Sequence, residues 1–179
     1  MTPPPHDPAR HTGQAAPAEN SIGLNGKAMT MDTRIDYLSS PLALKLVKHI
    51  NSAWAILRDS ALPATTQELV KIRASQINGC GFCTDMHIKE ALHAGENQRR
   101  LNLVAVWREA RIFTEAERAA LELAEQGTRI ADAGDVTDEA WANAAEHCSD
   151  DQLIALVAVI ALINAYNRMF VIMRQPAGD

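Results

Sequence analysis

From Pro41 onward, apolar positions recur at helical spacing along nearly the whole chain. Between Pro41 and Ser60, Leu42, Leu46, Ile50, Ala53, Trp54 and Leu57 form one stripe, as the 3.6-residue period of an amphipathic helix requires. Ser40 suits the cap and Pro41 the first turn of that helix. A second helix follows Pro63, with Thr65 or Thr66 as its cap, Glu68 at the capping-box position, and Leu69, Ile72 and Ile77 turned inward. Asn78-Gly79 is the pair expected at a helix C-terminus, and a third helix runs from about Cys80 to His93, closed by Gly95. Helical patterning resumes from Asn97 to Ala110 through Leu101, Leu103, Val104, Val106 and Trp107. It returns from Thr114, which pairs with Glu117 as a capping box and heads a stripe of Ala120, Leu121, Ala124 and Ile130. After the loop ADAGDV, Thr137-Asp138 caps a short helix, and Asp150 opens a long one through Met173. The section LIALVAVIALI in that last helix has no polar face, which predicts burial on every side in a domain centre or a subunit interface. Asn164, Asn167 and Arg168 interrupt it and need partners at helix ends or on a neighbouring subunit. No strand or internal repeat emerges. The prediction is all-α, a compact bundle of about seven helices, oligomeric.

Before Pro41 the pattern changes. Residues 1–30 are rich in Pro, Ala, Gly and polar side chains, and cannot bury enough apolar surface to offset ordering entropy. We read them as a disordered extension, with His6 and His11 in solvent, and residues 31–179 as the helical domain. A chain of 179 residues suits one domain with a real core. Only 4% of residues are aromatic, and abundant alanine and leucine favour helix over strand. The net charge of −5 offers no basic footprint for nucleic acid. The N-terminus lacks the apolar core of a secretory signal, and Leu153–Ile163 is half the length needed to cross a bilayer. These features predict a cytoplasmic protein with no membrane partner.

The 3 cysteines make no disulfide scaffold, and in a reducing compartment a close pair is catalytic or metal-binding more than structural. Cys80 and Cys83 stand three apart in CGFC, His87 follows Cys83 by one helical turn, and Glu68 precedes Cys80 by twelve residues. On a helix starting near Gly79, Cys80, Cys83 and His87 share a face. A break at Asn78-Gly79 is then required for Glu68 to fold back toward the pair. Zinc would need four ligands, and beyond the pair only His87, His93, His147 and Cys148 are candidates, with no second CxxC. Free cysteines also pack well in cores. A thiol pair at a helix N-terminus, however, sits where thiolates form easily, since the local positive dipole lowers a thiol pKa. That favours redox use, and helical flanks set the segment apart from a thioredoxin. His93 is expected in solvent, and Cys148 as a small buried or interface residue.

Glu68, Cys80, CGFC, His87 and Gly95, with ELVKIRASQINGC, the WREA stretch and INAYNR, resemble the AhpD-like alkylhydroperoxidases of the carboxymuconolactone decarboxylase superfamily. The resemblance runs from about Met31 to Gly178. It implies an all-helical fold assembled as homo-trimers or homo-hexamers and a peroxidase that reduces alkyl hydroperoxides through a cysteine cycle. On that resemblance, Cys83 attacks the peroxide and becomes a sulfenic acid, and Cys80 resolves it as a disulfide. Glu68 and His87 relay the proton away from the attacking thiol. No flavin or nicotinamide motif is present, so no cofactor is expected, and a dithiol or lipoyl-type reductant protein must reopen the disulfide. The best-studied type of the family has a histidine immediately before the second cysteine; here it is Phe82, which implies weaker activity or a more apolar substrate. Two rivals stand beside this reading. A decarboxylase of the same superfamily would need no cysteine pair, and a non-enzymatic oligomer could sense oxidation through CGFC.

Overall fold

Five of the eight α-helices among the described residues start at a side-chain cap: Ser40, Asn97, Thr114, Thr137 and Ser149. The computed structural model describes residues 32–178 apart from Leu38, within a single folded unit, Met31–Asp179; the expectations for residues 1–30 lie outside the described residues. Ser40 Oγ accepts from the Ala43 amide at 3.4 Å and Pro41 occupies the first turn of α1 (Pro41–Arg58). Helix α2 (Ala64–Ile77) is followed by α3 (Gly81–His93), then by α4 (Gln98–Leu103), capped by Asn97, and a 3₁₀ turn at Val104–Val106. Thr114 and Glu117 exchange hydrogen bonds of 3.2 and 2.8 Å at the start of α5 (Glu115–Thr128), the reciprocal box that the sequence predicts. The four-residue α6 (Ile130–Ala133) leads to α7 (Asp138–His147), capped by Thr137, and to α8 (Asp150–Met173). Ser149 and Gln152 form a second capping box at the start of α8. Among the described residues there are eight α-helices and no strand, so the all-α prediction holds.

Helix α2 lies at the centre, packed against α3, α5 and α8, and α8 also touches α1, α3, α5 and α7. Val70, Ala74, Cys83, Leu156, Val159 and Ile163 meet in one core cluster, while Leu69, Ile72, Leu101, Trp107 and Leu121 form a second between α2, α4 and α5. Each large aliphatic side chain among them contributes roughly 1.5–3 kcal/mol when fully withdrawn from water. The polar WREA stretch ends on a buried carboxylate: Trp107 Nε1 donates to Glu125 Oε1 at 2.8 Å, and Arg73 and Arg108 pair with the same group.

Several local expectations need correction. Neither Thr65 nor Thr66 caps α2; Pro63 holds the cap position without a side-chain bond, and the Glu68 carboxylate turns to Lys71 and His87 instead of the helix start. Leu42 and Leu46 are exposed, because α1 buries only Ala43, Trp54 and Leu57. Ile130 is also exposed, since the chain breaks at Arg129 before it could join the α5 stripe. Within one chain the apolar section of α8 is not enclosed all round: Ile154 and Val157 are exposed, which removes the domain-centre alternative and leaves the subunit interface. Helix α8 is long and apolar enough to cross a membrane by length and composition, but its polar side chains bind the core. Asn78 Nδ2 donates to Asn164 Oδ1 and to Asn167 Oδ1, both at 2.9 Å, and Asn167 Nδ2 donates to Ser75 Oγ at 3.0 Å. The predicted partners of Asn164 and Asn167 are therefore at a helix end, that of α2.

That end is closed by glycine. Gly79 adopts φ +66°, its amide donates to Gln76 O and the Cys80 amide to Ser75 O, the two bonds of a Schellman turn. A Cβ at Gly79 would meet nothing within 4 Å, so a substitution there tests backbone strain alone. Gly79→Ala is expected to cost about 1 kcal/mol and lower Tm by roughly 2–4 °C in thermal denaturation. An unchanged Tm would contradict a left-handed turn at this position.

Candidate functional site

The Schellman turn delivers Cys80 to the cap position of α3, and three residues on it delivers Cys83 to the first turn. Both thiols are free and buried, Cys83 completely. They do not face the same space. Cys83 lines a cavity of about 890 Å³ walled by α1, α2, α3 and α8, with Phe82, Met86 and His87 beside it and Trp54, Tyr166 and Phe170 across it. Cys80 is absent from that lining and borders a shallow surface depression with Gly79, Gly81 and Thr84. Of the three residues expected on one face, Cys83 and His87 converge, and Cys80 stands at the helix cap behind them.

Glu68 reaches His87 across the α2–α3 contact. His87 Nδ1 lies 3.1 Å from Glu68 Oε2 and 3.0 Å from Glu90 Oε2. With Nδ1 donating to carboxylates, Nε2 is the acceptor of the neutral ring. Lys71 pairs with Glu68 and its ammonium sits 5.2 Å from the Trp54 ring centre. Burial alone pushes the His87 pKa down, but hydrogen bonds to Glu68 and Glu90 outweigh it, and the net shift is upward. Glu90 is held below the usual carboxylate range, chiefly by its hydrogen bond to His87. Sequence reading missed Glu90; the signal was its place at i+3 from His87 on the same helix.

The two thiols act on each other and shift in opposite directions. Cys80 is lowered to about 7, first by the hydrogen bond from Cys83, then by the Cys83 backbone amide, by Asn167 and by the charge on His87, against the opposing effect of burial. Cys83 is pushed up by its hydrogen bond to Cys80, by burial, and by the Cys80 charge. Of the two, Cys80 is therefore the thiol shifted toward the thiolate and Cys83 the one shifted toward the neutral form. Asn167, fully buried, favours the charged form of both sulfurs, a role beyond the helix end or neighbouring subunit that the sequence suggested for it.

Phe82 joins an aromatic cluster, its ring centre 4.8 Å from that of Phe170, which in turn meets Tyr166 at 5.5 Å and Tyr37 at 5.6 Å. Among the described residues, the one cluster with metal-ligand geometry is Glu68, His87 and Glu90, whose ligand atoms lie within 4.8 Å of one another. Lys71 already supplies a cation there. The cysteines contribute to no such cluster, and His147 and Cys148 sit at the end of α7. Cys148 is half-buried, and burial pushes its thiol up. His93 is exposed but lines the cavity rim.

The sequence and the fold both have relatives. A family model described as the carboxymuconolactone decarboxylase family matches residues 43–126, a span that contains Glu68, Cys80, Cys83 and His87. The uncharacterized protein YdfG of Bacillus subtilis is 36% identical over 150 residues, covering 83% of this chain and 99% of its own. The uncharacterized protein YnjA of Escherichia coli is 31% identical over 124 residues, 69% of this chain and 67% of its own. A solved protein of unknown function from Agrobacterium tumefaciens, described as a candidate antioxidant defence protein AhpD, matches with a TM-score of 0.75 at 38% identity, covering 83% of this chain and 99% of that one. The fold is AhpD-like, and the chain belongs to the carboxymuconolactone decarboxylase family.

Proposed function

We propose that the protein reduces organic hydroperoxides with electrons from a dithiol, Cys83 acting as the attacking thiol and Cys80 as the resolving one. The observation that carries this reading is the position of Cys83, in the wall of a cavity that also holds His87 and its carboxylate partner Glu68. A decarboxylase would have no use for a second thiol hydrogen-bonded to the first.

The resting charge on Cys80 fits the division of labour once the shared proton is followed. Transfer of the Cys83 proton to Cys80 gives a Cys83 thiolate at the cavity wall. It attacks the terminal peroxide oxygen, the O–O bond breaks, and Cys83 becomes a sulfenic acid while the alkoxide leaves. The alkoxide takes the proton back from Cys80 and departs as an alcohol. Cys80, whose low pKa makes it a thiolate near neutral pH, attacks the Cys83 sulfur and forms the disulfide. The hydroxide released takes a proton from His87, whose imidazolium Glu68 and Glu90 stabilise, and leaves as water. A dithiol then reduces the disulfide by exchange, so the balance is one hydroperoxide and one dithiol in, one alcohol, one water and one disulfide out. A lipoyl-type carrier in a reducing cytoplasm suits this chemistry. The apolar residues left open on α1 and α8, Leu42, Leu44, Ile154 and Ile172 among them, suit burial against further copies of the chain, and we include a homo-trimer or homo-hexamer in the proposal.

With cumene hydroperoxide and dithiothreitol, Cys83→Ser is expected to abolish turnover; with the dithiol omitted, Cys80→Ser is expected to consume about one equivalent, slowly for want of its proton acceptor, and to stop at the sulfenic acid. His87→Ala and Glu68→Gln should slow the first turnover by about 10²-fold or more, the usual contribution of positioned acid–base groups. Full activity in Cys83→Ser would rule out the proposal, whatever a parallel lactone decarboxylation assay returned. Alkylation followed by mass spectrometry reads the resting thiolate. Cys80 should be modified first, at a rate that rises with pH to a midpoint near 7 because only the thiolate reacts, with Cys83 lagging. Preferential labelling of Cys83 at neutral pH would reverse the assignment of the resting charge. Sedimentation should report three or six copies, and a monomer would remove the assembly from the proposal.

A further inference from the structure

The charges around the cavity are taken up in pairs, with one exception. Lys71 is engaged by Glu68, Lys89 by Asp85 at 2.7 Å, and Glu90 by His87 at 3.0 Å. Arg58, in the last turn of α1, lines the same cavity from an exposed rim and forms no ion pair or hydrogen bond among the described residues. Glu90 feels its charge, but that carboxylate is committed to His87. The remaining wall is largely apolar and aromatic: Trp54, Phe82, Met86, Ile163, Tyr166 and Phe170. At about 890 Å³, the space is near the upper end of the roughly 300–1,000 Å³ usual for drug-sized ligands and far larger than hydrogen peroxide needs.

An apolar channel wall with one uncommitted guanidinium at its rim is complementary to an elongated amphipathic anion. The planar fork of arginine matches a carboxylate through two parallel hydrogen bonds, while a hydrocarbon chain gains from contact with the aromatic wall. We propose that the substrates are hydroperoxides of long-chain carboxylic acids, with the carboxylate held by Arg58 and the chain laid along the wall so that the peroxide reaches Cys83. This rests on the hydroperoxide reading above and names its substrate class. Phe82, where better-studied relatives carry histidine, then serves as part of the surface that receives the chain.

The test compares linoleic acid hydroperoxide with its methyl ester, at fixed dithiothreitol and below the concentration at which either aggregates. The acid is expected to show a kcat/KM about two- to fivefold above the ester, the order of an ion pair at an exposed rim. The preference should shrink with added salt, fall toward one in Arg58→Gln mainly through KM, and persist only in part in Arg58→Lys, which keeps the charge and loses the fork. A ratio near one in the unaltered protein, or a preference untouched by Arg58→Gln, would overturn the proposal. So would an effect of Arg58→Gln confined to thermal stability, since that marks a residue serving only the C-terminus of α1. Calorimetry with decanoate against decan-1-ol reads the same selectivity without chemistry. Acid-selective binding that depends on Arg58 in a protein that turns over no peroxide would retain the site and discard the peroxidase. Turnover of cumene hydroperoxide with no acid preference in either measurement would do the reverse.

Discussion

The arrangement depends on one turn. At Asn78-Gly79-Cys80 the chain leaves α2, reverses through a left-handed glycine, and enters α3 with a thiol as its cap. Without that reversal α3 could not lie back along α2, and Glu68 would not meet His87. The turn is locked from outside as well as within: Asn78 is held by Asn164 and Asn167 of α8, and Asn167 also takes Ser75 of α2. Buried side-chain amides are costly unless satisfied, and here they are satisfied by one another, so the polar interruption of an apolar helix fixes where the cysteines stand.

The same turn separates the two sulfurs chemically. Cys83 sits among apolar and aromatic groups at the cavity wall, a setting that favours the neutral thiol. Cys80 receives the hydrogen bond, the cap amide and the nearby imidazole charge, a setting that favours the thiolate. In the proposed cycle, an attacking thiol that holds its proton until a substrate arrives would be protected from idle oxidation, and a resolving thiol biased toward the thiolate would close the disulfide promptly. Which sulfur carries charge at rest and which sulfur meets the peroxide are thus separate questions, answered by different neighbours.

Much of this was legible in the sequence because it is written in local rules. Caps at Ser40, Thr114 with Glu117, and Thr137 are set by side chains three residues from the amides they serve, and the glycine stop at Gly79 needs no tertiary partner. The cysteine spacing and His87 one turn on follow helix geometry alone. What was not legible needed the third dimension. The stripe on α1 could be read, but not that Leu42 and Leu46 lie on the side the domain leaves bare. The helix expected through Ala110 is broken because Trp107 and Arg108 must turn to reach Glu125 on α5. Glu68 looked equally suited to a capping box and to a relay, and only the packing of α3 against α2 decides where its carboxylate goes. The opposed electrostatics of Cys80 and Cys83 come chiefly from the two thiols acting on each other, and the contribution of Asn167 comes from α8, some eighty residues further along.

The central proposal is that Cys83, the thiol pushed toward its neutral form, is the one the peroxide oxidises. The most direct measurement is a single turnover of the unaltered protein with one equivalent of cumene hydroperoxide, quenched into dimedone and mapped by peptide mass spectrometry. The account predicts that the trapped sulfenic acid is on Cys83, with Cys80 found as free thiol or in the disulfide. A dimedone adduct on Cys80 in place of Cys83 would contradict it.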